Sequence, residues 1–407
     1  MCGIVAYIGS KQAQGLLLEG LKRLEYRGYD SAGIAVMNNG QISVVKCAGR
    51  VADLENKLSA GVKNLPGTMG MCHTRWATHG GVTDLNAHPH RDDKAGICLI
   101  HNGIIENYAA LKTYLQEKGH KFQSETDTEV LTMLIGELYE GDLEAAVQAA
   151  LREVTGAYAI CVMCEKEPDT LVVARKGAPL IVGIGNGEYV VASDAAAIVA
   201  HTSQAFPLDD YNVVKLTRTG IRTSTTTNAN VTPKVMQLEL DLEQIELGRF
   251  DHFMQKEIFE QPSAVRNCFR GRLHKEDGKV ILGGLSSFAK ELVRARRVIL
   301  AGQGTALHAA MIGEYMLEDL AKIPACAEYA SEFRYRNPII EDRTVVIAVS
   351  QSGETADTLA ALHEAKDRGA LALGVVNAVG STIARDTDAG VYPVSYTHLT
   401  LPTKRIV

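Results

Sequence analysis

Hydrophobic positions over residues 1–240 alternate between two patterns. Short runs of β-branched residues bounded by Gly, Asp or Asn predict strands at Ile4–Ile8, Ile34–Met37, Ile42–Lys46, Ile97–Ile100, Tyr158–Met163, Leu171–Ala174, Tyr189–Ala192 and Val213–Leu216. Apolar residues at i, i+3 and i+4 predict helices at Leu16–Leu24, Tyr108–Lys118, Thr128–Tyr139 and Leu143–Leu151. Helices grouped between many strands are typical of an α+β fold.

From about residue 285 the pattern changes to a regular alternation of strand and helix. Strands are predicted at Val298–Ala301, Val345–Val349 and Leu371–Val376, with helices at Thr305–Leu320 and Thr355–Arg368. Strand–helix–strand spacing of this kind implies parallel pairing with right-handed crossovers. The sequence therefore predicts an α/β region with a parallel sheet.

These patterns divide the chain into four segments. The first domain is expected over residues 2–240. A linker follows over 241–284; it contains an amphipathic helix over Phe250–Phe259, which Pro262 is expected to end. An incomplete α/β module is expected over 285–395. Residues 396–407 lead into a new unit with no closing helix, so the sequence predicts a truncated module with a non-native tail.

Composition excludes several classes of protein. The 407 residues carry 42 Lys+Arg against 48 Asp+Glu, a net charge of −6 that argues against a nucleic-acid binder. No apolar run reaches the roughly 18 residues of a membrane span, and the N-terminus lacks a basic signal-peptide region. Eight cysteines are too few for a disulfide scaffold, so a reducing cytoplasm is expected.

The first candidate for chemistry is the second residue. Removal of Met1 would leave Cys2 with a free α-amine, whose unperturbed pKa is about 7.7–8.0. Such an amine can act as general base for its own thiol. A cysteine that merely begins a strand is the alternative.

Other segments carry groups that suit the same reaction. Arg75 lies in a dense run of polar side chains, Cys72–Gly80, and can hold a carboxylate through two hydrogen bonds. Asn102 and Gly103 can supply an oxyanion hole, although Asn-Gly also forms simple turns. Asp127 can cap a helix or hold an ammonium group.

Taken together, these residues resemble the class II glutamine amidotransferases. The resemblance rests on the segments Met1–Val5, Arg23–Gly33, Cys72–Gly80, Asn86–His90, His101–Asn107 and Ser124–Val130. It implies an N-terminal-nucleophile (Ntn) hydrolase sandwich for the first domain.

The resemblance also implies roles for individual residues. Cys2 would attack the glutamine amide and form a thioester, and Asn102 and Gly103 would form the oxyanion hole. Arg75 would bind the glutamine carboxylate and Asp127 its amino group.

Four further residues receive roles from the same resemblance. Thr78 and His79 would line the glutamine pocket, Trp76 would lie on a loop that gates ammonia, and Arg27 would help order the nucleophile. The segment His88–His90 is expected to be structural, with no metal bound.

A second candidate site lies at the predicted strand-to-helix turn Ser350–Thr355. Its three hydroxyls and the free N–H groups of a helix start favour a phosphate, whereas an ordinary N-cap is the alternative. The turn Gly302–Thr305 lacks the third glycine and the acidic residue of a dinucleotide site.

Both turns resemble a sugar-isomerase (SIS) module. This resemblance implies that Thr305, Ser350, Gln351, Ser352 and Thr355 hold a sugar phosphate. Ala306 stands where that family commonly has a serine, which removes one hydroxyl.

The two resemblances together imply an enzyme of amino-sugar biosynthesis. It would release ammonia from L-glutamine and pass it to fructose 6-phosphate, without a cofactor, as a homodimer assembled through SIS modules. The sequence lacks the family's second SIS module, so this chain is expected to keep only the glutaminase activity and part of the sugar site.

Amidophosphoribosyltransferases and asparagine synthetases share the first domain, but the acidic pyrophosphate loop and the ATP loop are missing from this sequence. A phosphosugar-sensing module with a vestigial glutaminase is the remaining alternative.

Overall fold

The computed structural model describes residues 2–25, 28–60, 64–76, 80–237, 250–274, 276, 278–378 and 381–393. The chain divides into two compact units, residues 1–246 and 247–407, called unit 1 and unit 2 below. Within the described residues, no helix is long and apolar enough to cross a membrane.

Unit 1 contains two antiparallel sheets. Its strands are β1 (Gly3–Ile8), β2 (Ser31–Asn38), β3 (Gln41–Ala48), β4 (Met69–Arg75), β5 (His90–Asp92), β6 (Ile97–Ile105), β7 (Gly156–Cys164), β8 (Thr170–Lys176), β9 (Ile181–Ile184), β10 (Tyr189–Ala192), β11 (Gln204–Pro207), β12 (Asn212–Thr217), β13 (Gly220–Thr225) and β14 (Met236–Gln237). The first sheet has the order β14-β11-β9-β10-β1-β4-β2-β3, and the second has the order β13-β12-β8-β7-β6-β5.

Helices cover the outer faces of these sheets. They are α1 (Ala13–Arg23), α2 (Val51–Ala60), α3 (Tyr108–Glu117), α4 (Asp127–Glu137) and α5 (Leu143–Glu153). One core packs α1 and α2 on the first sheet, a second lies between the sheets, and a third packs α4 and α5 on the second sheet. Unit 1 is therefore a four-layer αββα sandwich.

Strands β1, β2 and β4 bring the N-terminus next to distant parts of the chain. Gly3 on β1 pairs with Thr74 on β4, and Ser31 on β2 pairs with Arg75. An N-terminal residue that precedes β1 therefore lies beside the last residue of β4.

Unit 2 begins with a long helix and a short hairpin and continues as an α/β layer. Its elements are α6 (Phe253–Phe269), β15 (Leu273–His274), β16 (Lys279–Val280), α7 (Ala289–Val293), β17 (Arg297–Gly302), α8 (Thr305–Met316), β18 (Ala325–Tyr329), α9 (Ala330–Tyr335), β19 (Thr344–Ser350), α10 (Ala356–Asp367), β20 (Leu371–Val376), α11 (Thr382–Asp386) and β21 (Ala389–Val391). The sheet β18-β17-β19-β20-β21 is parallel throughout, as the sequence predicts.

Two local predictions are wrong. Helix α6 does not end before Pro262 but continues through it to Phe269. Proline removes one N–H and crowds the carbonyl four residues earlier, yet the remaining bonds of a 17-residue helix sustain it. The strand predicted to end at Ile100 also continues to Ile105 and pairs with β7 as far as Gly156, so the simple turn that was the alternative for Asn102 and Gly103 does not form.

Candidate active site

Cys2 lies directly before β1, and its thiol contacts the end of β4. The Trp76 backbone N–H donates to Cys2 Sγ at 3.2 Å, and Sγ lies 3.6 Å from the Trp76 carbonyl. Burial raises the pKa of the Cys2 thiol, whereas the Trp76 N–H and the charge of Arg75 oppose that rise. A thiol that rests in its neutral form needs a general base at the moment of attack.

Asn102 approaches Cys2 from the second sheet. Its Nδ2 donates to the Cys2 carbonyl at 3.0 Å, and its Oδ1 lies 2.9 Å from His73 Nε2. The side chain is buried. The structure therefore brings two residues together that are a hundred positions apart, and it places a side-chain amide donor beside the thiol-bearing residue.

Gly103 occupies a place where no other residue fits. Its φ is 128°, and a Cβ added there would lie 2.1 Å from the Ala157 carbonyl oxygen on the neighbouring strand. The residue is exposed, so its backbone is accessible from solvent. Glycine allows this conformation and lets β6 present its backbone at the same edge as Asn102.

Arg75 and Asp127 carry opposite charges that interact with each other, and Arg75 also interacts with the Cys2 thiol. Arg75 is buried at the end of β4, donates to the Gly81 carbonyl at 3.3 Å and interacts electrostatically with both Cys2 and Asp127. Burial lowers the pKa of Arg75, against the charges of these neighbours. Asp127 begins α4 and accepts a hydrogen bond from the Ile105 N–H at 2.8 Å.

The helix cap belongs to the residue before Asp127. Thr126 is the N-cap, and its side chain accepts from the Glu129 N–H at 3.3 Å. The Asp127 carboxylate is thus directed at the end of β6 instead of the helix start. The Arg75 guanidinium, which interacts with the thiol, and the Asp127 carboxylate, which interacts with Arg75, match the two charged ends of an amino acid.

Trp76 continues the chain from β4 at the surface. Its indole is 44% exposed and contacts the Tyr29 ring edge-on at 5.4 Å between centroids. Arg27, Thr78 and His79, which the sequence also assigns to this site, lie outside the described residues.

Sequence reasoning missed the contacts that hold the Gly81 turn against Arg75. Glu125 Oε2 accepts from the Gly81 N–H at 3.1 Å and from Asn86 Nδ2 at 3.0 Å. Asn86 Nδ2 also donates to the Gly81 carbonyl, the same atom that Arg75 contacts. These hydrogen bonds lower the pKa of Glu125 and hold Gly81 against Asn86 and Glu125.

A cluster of four buried histidines beneath the site was also missed. The His73 ring stacks on His88 at 4.3 Å, and His88 contacts His90 edge-on at 5.0 Å. The His101 backbone N–H donates to His88 Nδ1 at 3.4 Å, and Thr126 Oγ1 lies 3.0 Å from His90 Nε2.

Desolvation keeps these four imidazoles neutral. It lowers the pKa of His73 to about 3 and also lowers the pKa values of His88, His90 and His101. The described residues contain no group of His, Cys, Asp or Glu arranged to hold a metal ion. The sequence singles out the segment His88–His90, but no sequence period links it to His73 or His101.

In unit 2, both predicted phosphate-binding turns lie at the carboxyl edge of the parallel sheet. β17 and β19 pair directly, so Thr305 after the first and Ser350 at the end of the second lie at the same edge. Gln303 Nε2 donates to Asp357 Oδ2 at 3.3 Å and links the first turn to the start of α10, which follows the second turn.

The Ser350–Thr355 turn is organised by its own hydroxyls. The Gly353 N–H donates to Ser350 Oγ at 3.0 Å, and the Glu354 N–H donates to Ser352 Oγ at 3.2 Å. Thr355 is the N-cap residue of α10, without a side-chain capping bond, and Gln351 is partly exposed. Hydroxyls and N–H groups at a helix start suit an anion such as phosphate.

Two known protein families match the chain, one in unit 1 and one in unit 2. The family described as "Glutamine amidotransferase domain" matches residues 60–240, and the family described as "SIS domain" matches residues 291–399. A glutamine–fructose-6-phosphate aminotransferase (isomerizing) of Chlorobaculum tepidum is 52% identical over 397 residues. Its counterpart in Bacteroides thetaiotaomicron is 49% identical, and that of Thermus thermophilus is 47% identical.

The chain combines a glutamine amidotransferase domain with a SIS domain, and it is similar to glutamine–fructose-6-phosphate aminotransferases over almost its whole length. The matches cover 96% of this chain, and they confirm both resemblances drawn from the sequence. The chain spans 64% of the length of these relatives.

Solved structures support the fold assignment. A glutamine phosphoribosylpyrophosphate amidotransferase of B. subtilis superimposes with a TM-score of 0.51 at 19% identity, covering 98% of this chain and 92% of its own. A second structure, of an allosteric regulatory enzyme of purine biosynthesis, gives a TM-score of 0.52 at 21% identity and covers 92% of this chain and 80% of its own. At this identity the likeness concerns the fold alone, and it confirms the Ntn sandwich expected for the first domain.

Proposed function

We propose that unit 1 hydrolyses L-glutamine at Cys2 and that unit 2 holds fructose 6-phosphate, the acceptor of the released ammonia. In the whole protein the products would be glucosamine 6-phosphate and glutamate. The observation that carries this proposal is the convergence of Cys2, Asn102, Arg75 and Asp127 from β1, β6, β4 and α4.

The reaction follows from the chemistry of these groups. After removal of Met1, Cys2 Sγ attacks the side-chain amide carbon of glutamine, and its proton passes to the Cys2 α-amine. The resulting oxyanion accepts hydrogen bonds from Asn102 Nδ2 and the Gly103 N–H. Collapse breaks the C–N bond, and ammonia leaves with the proton from the amine. Water then hydrolyses the thioester to glutamate and restores the thiol.

Arg75 and Asp127 would hold the ends of the substrate that do not react. Arg75 would bind the α-carboxylate and Asp127 the α-ammonium group, with Thr78 and His79 beside them. Trp76, exposed beside the thiol, would cover the site and gate ammonia, and Arg27 would order the nucleophile. No step needs a metal or an organic cofactor.

In unit 2 the phosphate of the sugar would lie between the two turns at the sheet edge. Ser350, Gln351, Ser352 and Thr355 would contact it from one turn and Thr305 from the other. The alanine at 306 supplies no hydroxyl to this site.

Two further expectations concern assembly and compartment. A homodimer through unit 2 is expected, since α8 exposes Ile312 at 61% and Tyr315 at 67%. Sedimentation of the purified chain tests the dimer. The cysteines of the chain are all free thiols, which suits a reducing cytoplasm.

Glutamate release from glutamine tests the catalytic proposal. Wild-type protein should be compared with Cys2→Ala and with a matched control, Cys268→Ala, which removes a half-exposed thiol from unit 2. Intact mass first establishes that Met1 is absent. Activity should disappear in Cys2→Ala alone, and fructose 6-phosphate should stimulate the wild type. Equal activity in the two variants would refute the assignment. Sugar binding without hydrolysis in Met1-free protein would favour a sensing module.

A further inference from the structure

His73 stands behind the proposed oxyanion hole and has no place in the reaction described above. It lies on β4, pairs with Ile4 of β1 and is fully buried. Its Nε2 atom is 2.9 Å from Asn102 Oδ1. The His73 imidazole therefore contacts the Asn102 amide, and its backbone pairs with β1, the strand that follows Cys2.

Hydrogen-bond chemistry decides which way the Asn102 amide points. The Cys2 carbonyl can only accept, so the Asn102 atom 3.0 Å away must be the donor, Nδ2. Oδ1 then faces His73, and a carbonyl oxygen can only accept. The His73 Nε2 atom must therefore carry the hydrogen.

The neutral state of His73 makes this arrangement specific. Burial lowers the pKa of its imidazole to about 3, so at neutral pH the ring carries one N–H. Only the tautomer with hydrogen on Nε2 completes the chain from His73 through Asn102 to the Cys2 carbonyl. The stacked ring of His88, at 4.3 Å, restricts rotation of His73.

We infer that His73 is a positioning residue for glutamine hydrolysis, which fixes the Asn102 amide with its Nδ2 group toward the reacting carbon. The inference rests on the proposed glutaminase function. The Asn102 Nδ2 group has two hydrogens, and the Cys2 carbonyl uses one; the other serves the oxyanion. Without the His73 donor, the Asn102 side-chain amide can rotate by half a turn about its terminal torsion. Its oxygen would then face the oxyanion in place of the Nδ2 group.

Steady-state kinetics with a double-mutant cycle tests this role. His73→Leu should lower kcat about 10- to 100-fold, less than the about 10²–10³-fold expected when an oxyanion donor is removed. The KM for glutamine should stay within about 2-fold, because Arg75 and Asp127 are unchanged. In an Asn102→Ala background the same substitution should have no further effect on kcat. Losses that multiply in the double variant would overturn the inference.

A conservative variant separates positioning from packing. The side-chain amide nitrogen of glutamine can reach the place of the histidine Nε2 atom and donate as it does, so His73→Gln should recover most of the kcat lost in His73→Leu. Equal impairment of the two variants, with equal unfolding free energies, would contradict a role through the donor.

A spectroscopic measurement on the wild-type protein needs no variant to fold. With 15N-labelled histidine, the His73 ring should show the Nε2–H tautomer at neutral pH without glutamine. A His73 ring with hydrogen on Nδ1 in an active protein overturns the positioning role alone. A folded, Met1-free wild type that releases no glutamate instead overturns the proposed function and, with it, the inference.

Discussion

The site in unit 1 and the site in unit 2 are assembled from the chain in opposite ways. In unit 1 the functional groups come from β1, β4, β6 and α4, and they are held by buried hydrogen bonds between elements. In unit 2 most of the proposed contacts come from the single turn Ser350–Thr355, whose hydroxyls bond to the backbone of the same turn. A covalent reaction needs several groups fixed around one atom, whereas an anion can be held by one helix start.

The two units also differ in the burial of their histidines. His73, His88, His90 and His101 are buried beneath the unit 1 site. The described histidines of unit 2 are all exposed: His252, His274, His308 and His363. Buried neutral imidazoles tie the stability of unit 1 to pH in a way that exposed ones do not.

The largest expected effect is therefore on the stability of unit 1 in mild acid. The pKa values of the four buried histidines are lowered by folding, so the unfolded chain binds more protons below about pH 6.5. The free energy of unfolding should fall as pH drops through this range, by about 1.4 kcal/mol per pH unit for each histidine. For His73 the loss should continue down to its folded pKa of about 3.

Urea unfolding between pH 6 and pH 5 measures this loss. Fluorescence of Trp76, the single tryptophan of the chain, reports on unit 1. The slope should show a net uptake of protons on unfolding, to which His73, His88 and His90 contribute most. A slope near zero would contradict the buried neutral histidines and remove the contrast between the units.

Removal of the Asn102 amide should have the next largest effect. Asn102→Ala should lower kcat for glutamine hydrolysis about 10²–10³-fold while KM changes little, because the amide acts on the transition state. Asn107→Ala is a matched control, since Asn107 follows the same strand but bonds to Glu153 and Thr155. A large rise in KM in place of the fall in kcat would assign Asn102 to substrate binding.

Addition of one methyl group to Gly103 should destabilise unit 1. Gly103→Ala combines a left-handed φ of 128° with a Cβ 2.1 Å from the Ala157 oxygen, so the free energy of unfolding should fall by about 3 kcal/mol. Gly15→Ala provides the comparison, since nothing lies within 4 Å of a Cβ on that exposed position of α1. Denaturation curves that coincide for the two variants would refute the close approach of β6 and β7.

The smallest effect is expected in unit 2. Ser352→Ala should weaken fructose 6-phosphate binding about 10-fold, the loss of one hydrogen bond to a charged group, and leave glutamine hydrolysis without sugar unchanged. Ser287→Ala removes an exposed hydroxyl elsewhere in unit 2 and should change nothing. Calorimetric titration with the sugar measures both variants. An unchanged affinity in Ser352→Ala would place the phosphate elsewhere.

Many local elements of the fold could be predicted from the sequence, because strand and helix periods are local, whereas α2, β4 and β18 were not predicted. Tyr189–Ala192 and Leu371–Val376 have the predicted bounds, and other strands extend by a few residues at their ends. The helix through Pro262 could not be predicted, since the sequence signals a break and only the whole helix shows that one lost bond is tolerated.

The candidate site also contains residues that the sequence indicated and contacts that it did not. The resemblance of short motifs to a family singled out Cys2, Arg75, Asn102 and Asp127. The supporting contacts, such as His73 on Asn102 and Glu125 on the Gly81 turn, join segments that are tens of residues apart. No sequence period encodes such pairings, so they became visible only when the strands were placed side by side.

The most direct test of the account is to trap the covalent intermediate. Met1-free wild-type protein would be mixed with glutamine, quenched in acid within the first turnovers and digested for mass analysis. We predict that the N-terminal peptide gains one γ-glutamyl group on Cys2, and that Asn102→Ala accumulates less of it. A γ-glutamyl group on another cysteine, or glutamate release with no acylated Cys2 at any quench time, would contradict the central claim.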